Sequence, residues 1–64
     1  MKWTDIYDIA ISLEEKHPDT DVVNIRFTTL QQMVLDLEDF DDIASRCNEK
    51  ILEAIQATWL EERE

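Results

Sequence analysis

The sequence predicts a mainly α protein: one small domain of three helices, spanning residues 1–64. Three observations carry this. Apolar residues recur in three separate stretches at the spacing of one helical face. The chain contains no glycine, where average usage would place about four or five in this length. Its one proline, Pro18, stands between the first two apolar stretches. Sixty-four residues leave room for a single core, and a chain this short buries only ~60% of the surface its unfolded form exposes. A hydrophobic fraction of 44%, with Trp3 and Trp59 available as large fillers, is enough to build one.

Each element follows from local chemistry. Thr4 reads as an N-cap, and Ile6, Ile9, Ala10 and Leu13 then mark one face of a helix over about 5–16, ended by Pro18. "PDTD", 18–21, is turn material. "VVNIRF", 22–27, is β-branched and suits a short extended piece, so the connector is expected to be extended or a single turn. Thr28 and Gln31 form a capping-box pattern, and Leu30, Met33, Val34 and Leu37 make the stripe of a second helix over 29–37. Ser45 or Asn48 caps a third helix whose buried face is Ile51, Leu52, Ile55 and Trp59, with Ala54 and Leu60 beside it. The tail "LEERE" is expected to fray at Glu61, Glu62 and Glu64. Without glycine, any left-handed backbone position falls to Asn24, Asn48 or an aspartate.

Charge narrows the function classes. Sixteen acids against six bases give −10, which repels phosphate backbones and anionic lipid; nucleic acid and membrane are not expected partners. Such a surface is steered toward cationic partners, while its self-repulsion weakens the folded state. One cysteine, Cys47, allows neither an internal disulfide nor a thiolate cluster. The N-terminal residues lack a signal-like apolar run, and no stretch approaches membrane-spanning length, so a cytoplasmic location is expected; a monomer is expected as well. Catalysis is not expected either. The single histidine, His17, lies about thirty residues from Cys47 and reads as an exposed helix-end residue, and Cys47 reads as a partly buried filler near a cap.

The informative motif is "DLEDFDD", residues 36–42: Asp36, Glu38, Asp39, Asp41 and Asp42 around Leu37 and Phe40. It is no EF-hand. A loop starting at Asp36 puts Phe40 at position 5, Asp41 where glycine is required and Cys47 at position 12. As an open set of oxygen ligands it suits hard cations such as Mg²⁺, Ca²⁺, Mn²⁺ or iron at modest affinity; as a solvated run it is simply a charged surface. Its first acids sit at the C-terminal end of the second helix, where the dipole disfavours negative charge by roughly 0.3–1 kcal/mol each. A locally costly choice of this kind tends to mark a working site. Phe40 reads as a core anchor pinning the segment. A second acidic group, Asp5, Asp8, Glu15, Asp19 and Asp21, lies on the first helix and its connector, where Asp5 and Asp8 also serve the helix dipole.

"KWTD" (2–5), "PDTD" (18–21), "RFT" (26–28), "DLEDFDD" (36–42), "NEKILEAI" (48–55) and "WLEE" (59–62) together resemble the IscX family, small acidic proteins of bacterial iron–sulfur-cluster assembly. The likeness runs nearly the whole length. It implies a modified winged-helix-like, mainly helical fold and a non-enzymatic role. It also implies docking by an acidic face on a basic surface of the cysteine desulfurase IscS, weak surface binding of iron, and ferredoxin or other assembly proteins as further partners. Carried over by motif, Asp36, Glu38, Asp39, Asp41 and Asp42 are candidate iron ligands and partner contacts, with Asp5, Asp19 and Asp21 as further contact candidates; Asp8 joins them through its place beside Asp5 on the acidic face of the first helix. A metal-independent inhibitory module and a stand-alone iron chaperone are the alternatives. The chain departs from the family pattern at Ile43, where another acid is usual, at Met33 and Val34, where an aromatic is common, and at Arg46, a cation close to the acidic segment.

Overall fold

The computed structural model describes residues 1–64 as three helices, α1 (Ile6–Lys16), α2 (Phe27–Leu35) and α3 (Glu49–Arg63), with a 3₁₀ turn at Ala44–Arg46. No strand is present, so the chain is mainly α and has no β-hairpin wing. No helix is long and apolar enough to cross a membrane. The core is wholly apolar. Ile9, Ala10 and Leu13 come from α1, Leu30 and Val34 from α2, and Leu52, Ile55 and Trp59 from α3. Trp3, Val22 and Leu37, one from each non-helical stretch, close the gaps between them. The expected face of α3 is confirmed at Leu52, Ile55 and Trp59, with Ile51 and Leu60 half-buried, but Ala54 is exposed.

Several helix ends differ from expectation. The N-cap of α1 is Asp5 rather than Thr4, and it makes no side-chain cap; its Oδ2 instead accepts from the Lys2 amide at 2.8 Å. The second helix begins at Phe27, placing Thr28 inside the first turn, and the expected capping box does not form. Starting there lays half-buried Phe27 on the same face as Leu30 and Val34, so burial outweighs the cap. Gln31 turns away and donates through Nε2 to the Ala44 carbonyl. Of the two caps proposed for α3, Asn48 is the one used: its Oδ1 accepts from the Ile51 amide at 2.9 Å.

"VVNIRF" is not extended. Val22 is buried and Val23 exposed, and the Ile25 amide donates to the Val22 carbonyl in a turn. Asn24 fixes that turn through bonds to both carboxylate oxygens of Asp21. The β-branched residues find no neighbouring strand, and Gln56 of α3 donates to the Val22 and Val23 carbonyls instead. No residue has positive φ, so no left-handed substitute for glycine is needed anywhere.

The "LEERE" tail does not fray before Arg63, for a reason that lies on α1. Glu14 Oε1 accepts from the Trp59 indole at 2.8 Å and from Arg63 Nε at 2.9 Å. The Arg63 guanidinium also donates to the carbonyls of His17 and Thr20 and lies over the Trp59 ring. The last turn of α3 is thereby clamped to the last turn of α1. The Arg63 side-chain bond, and next to it that of Trp59, hold the Glu14 carboxyl below its ordinary value of 4.5.

Ile55, with no exposed surface, has nothing to refill its place, so Ile55→Ala should cost about 2–5 kcal/mol. That is a large share of the total for a domain this size, and it should be read as collapse of the urea midpoint by circular dichroism. The Glu14 clamp should show in pH. A carboxylate with lowered folded pKa adds stability above its ordinary value and loses it as pH falls through the folded value. The stability gap between the native chain and Glu14→Gln should therefore be widest above pH 4.5 and close on further acidification; a gap independent of pH would contradict the clamp.

Candidate functional site

The acidic segment leaves α2 as a turn held from inside by its two apolar residues. Asp36 is the C-cap of α2, with φ −83° and ψ −5°, and Gln32 donates to its Oδ1 at 3.1 Å. Leu37 drops into the core, and half-buried Phe40 meets Trp3 edge-on at 4.7 Å between centroids. The expected anchor role of Phe40 is what the structure shows. Between these anchors the Phe40 amide donates to the Leu37 carbonyl at 3.1 Å, leaving Glu38 and Asp39 as the two exposed corner residues. The dipole penalty on these acids is partly met by α1: Lys16 Nζ donates to the Asp36 carbonyl at 3.3 Å, bringing positive charge to the end of α2.

From Asp39 onward the segment is bound by the N-terminal residues. The Met1 amino group donates to the Asp39 carbonyl at 2.6 Å and to Asp41 Oδ1 at 3.2 Å, and the Asp41 amide returns a bond to the Met1 carbonyl. Lys2 Nζ donates to the Asp41 carbonyl at 2.8 Å and lies 3.4 Å from its carboxylate. Trp3 completes the tether. Its amide donates to Asp42 Oδ2 at 3.1 Å, and its indole donates to the Ile43 carbonyl at 2.8 Å. Asp42 Oδ1 accepts from the Ile43 amide, with Arg46 Nε 3.9 Å away.

The five acids of the motif thus divide by what they touch. Asp36, Glu38 and Asp39 line one open groove with Glu15, Lys16, Ser12, Leu37 and Met1. Asp41 is exposed but ion-paired, and its carboxyl is lowered first by the bond from the Met1 amino group and then by Lys2. Asp42 is nearly buried, its side chain 9% exposed, and its carboxyl is lowered by the Trp3 and Ile43 amides. It is a structural residue. Glu15 joins the groove because Ser12, Glu15 and Lys16 share one side of α1, spaced i, i+3 and i+4; its placement depended on which side packs beside the segment, which periodicity alone does not reveal.

The remaining candidates are dispersed. Asp5 holds the Lys2 amide, Asp8 is exposed on α1, Asp19 is exposed after Pro18, and Asp21 is occupied by Asn24. No hydrogen bond or ion pair joins Asp8, Asp19 or Asp21 to the 36–42 segment. His17 caps α1 half-buried, rather than exposed as expected. Cys47 is the half-buried filler expected, and burial pushes its thiol up.

The carboxylates do not form a cage for a metal ion. Nowhere do three Asp, Glu, His or Cys side chains converge on a common point, and both oxygens of Asp42 already accept amide bonds. This arrangement does not fit a closed iron site. What it offers is an exposed pair of unpaired carboxylates at a corner, Glu38 and Asp39, beside an open, mostly polar groove.

In comparisons with known proteins, residues 1–64 match a family described as iron-sulphur cluster assembly. The chain is 47% identical over 64 residues to an uncharacterized protein of Pseudomonas aeruginosa, an alignment covering 100% of this chain and 97% of that protein.

The division of the acids predicts opposite outcomes for similar substitutions. Asp42→Ala leaves the Trp3 amide unpartnered in a part-buried position, so it should lower the urea midpoint clearly. Glu38→Gln and Asp39→Asn remove charge from an uncompensated corner and should leave stability unchanged or slightly raised. Urea unfolding of the three variants tests this, and a loss at Glu38 equal to that at Asp42 would contradict it.

Proposed function

The chain belongs to the IscX-type family of iron–sulphur cluster assembly, and from that premise we propose that it is a non-enzymatic accessory protein that docks by its acidic turn on a basic surface of the cysteine desulfurase IscS. The observation that carries this reading is the Glu38–Asp39 corner. Its two carboxylates have no internal cation, stand exposed, and are held in place from below by Leu37 and Phe40. A rigid anionic corner gives arginine and lysine clusters a fixed target without a further ordering cost. The −10 charge of the whole chain steers such an encounter at long range.

Asp36, Glu15 and Asp41 flank the corner and extend the contact. Asp42 supports it without touching the partner. Asp5 lies on the same tether, whereas Asp8, Asp19 and Asp21 contribute only to the general field. Iron is a weakly held ion in this proposal. Because the carboxylates do not converge, an ion would meet one or two of them at a time, and docking itself does not pass through it. That geometry favours docking over stand-alone iron delivery, which calls for a tighter ligand set.

The test is the affinity of the chain for purified desulfurase across a salt series. Affinity should fall steeply with added salt. The double variant Glu38→Gln/Asp39→Asn should bind roughly threefold to thirtyfold more weakly, with a flatter salt dependence. An affinity indifferent both to salt and to this variant would sink the proposal.

A further inference from the structure

The six cations of the chain are not spread evenly. Lys2, Lys16 and Arg46 all contact the acidic segment or its backbone, Arg63 is spent on Glu14, and Arg26 and Lys50 make no ion pair. Among these six side chains Lys2 is the one that reaches an exposed carboxylate of the docking surface, beside the Met1 amino group. Its side chain is 55% exposed and that of Asp41 69% exposed, so the pair is open to solvent and to exchange. Yet its origin is fixed on both sides. The Lys2 amide is held by Asp5, the Met1 carbonyl by the Asp41 amide and the Trp3 amide by Asp42. The ammonium is therefore delivered to Asp41 by a rigid backbone, unlike a surface pair formed by two free side chains.

We propose, building on the docking reading above, that Lys2 is a built-in competitor: with the Met1 amino group it occupies Asp41 Oδ1 in the free chain, and it competes with a cationic partner for that carboxylate. The partner's first contacts then fall on Glu38 and Asp39, which have no internal cation, and Asp41 is recruited second. The device lowers affinity modestly and directs the order of contact. It also disfavours small single cations at Asp41, because Lys2 is already there at high local concentration.

The experiment uses the full chain and a hexa-lysine peptide as probe, at low ionic strength. Lys2→Ala should bind the peptide more tightly, by up to about fivefold, the ceiling for an exposed pair; the Met1 amino group stays at Asp41 and keeps the gain partial. Lys50→Ala removes the same charge from a position without an ion pair and reports the effect of net charge alone. The gain from Lys2→Ala should exceed that from Lys50→Ala. Asp41→Asn should weaken binding more in the Lys2→Ala background than in the native chain. Equal gains from the two lysine variants, or equal Asp41→Asn losses in both backgrounds, overturn the competitor while leaving the docking reading intact. If the native chain fails to bind the peptide even at low salt, the docking reading falls and this proposal with it.

Discussion

The acidic surface depends on Trp3. With almost no exposed area, that side chain fills the gap between the helices, meets Phe40 edge-on and donates its indole proton to the Ile43 carbonyl, while its amide satisfies Asp42. One residue therefore joins a segment about forty positions away to the core, at both its apolar and its polar ends. An exposed run of carboxylates would otherwise splay apart by mutual repulsion. The tether turns it into a shaped corner. A buried indole is suited to this because it contributes a large apolar area and still carries one directional donor.

What the sequence made legible was the part governed by short-range periodicity. The three helices, the Ile55 and Trp59 face and the anchor role of Phe40 all follow from spacings of a few residues, while the cap of α3 is narrowed to Ser45 or Asn48. The readings that differed were decided at longer range. Thr28 is a chemically good cap that lost to burial of Phe27. "VVNIRF" has strand-forming residues but no partner strand, and Gln56 from α3 takes its carbonyls. Most telling is the split within "DLEDFDD": five similar acids in the sequence become a helix C-cap, a free corner of two, an ion-paired neighbour and a structural acceptor for backbone amides. Nothing local separates Asp39 from Asp42. The separation is made by Met1, Lys2 and Trp3, and only the folded chain brings them there.

Charge is distributed with the same logic. The most extensive helix contact, between α1 and α3, is locked by an ion pair that involves one of the few arginines, while α2 carries no charged residue within its helical span. The helix that supports the acidic corner thus adds no charge of its own beside it. The proposed docking role uses what remains: carboxylates that the fold neither neutralises nor needs.

The absence of glycine, together with a backbone that never enters the left-handed region, has a consequence for the denatured chain. Glycine widens the unfolded ensemble, and replacing one where the native angles permit is worth about 0.4–1 kcal/mol through that ensemble alone. Four or five positions that would ordinarily be glycine thus contribute about 2–5 kcal/mol without forming a single contact. For a domain of this size that rivals the whole margin of stability, about 3–10 kcal/mol. A small acidic protein with a modest core and strong self-repulsion is held folded in part by how few conformations it has elsewhere to go.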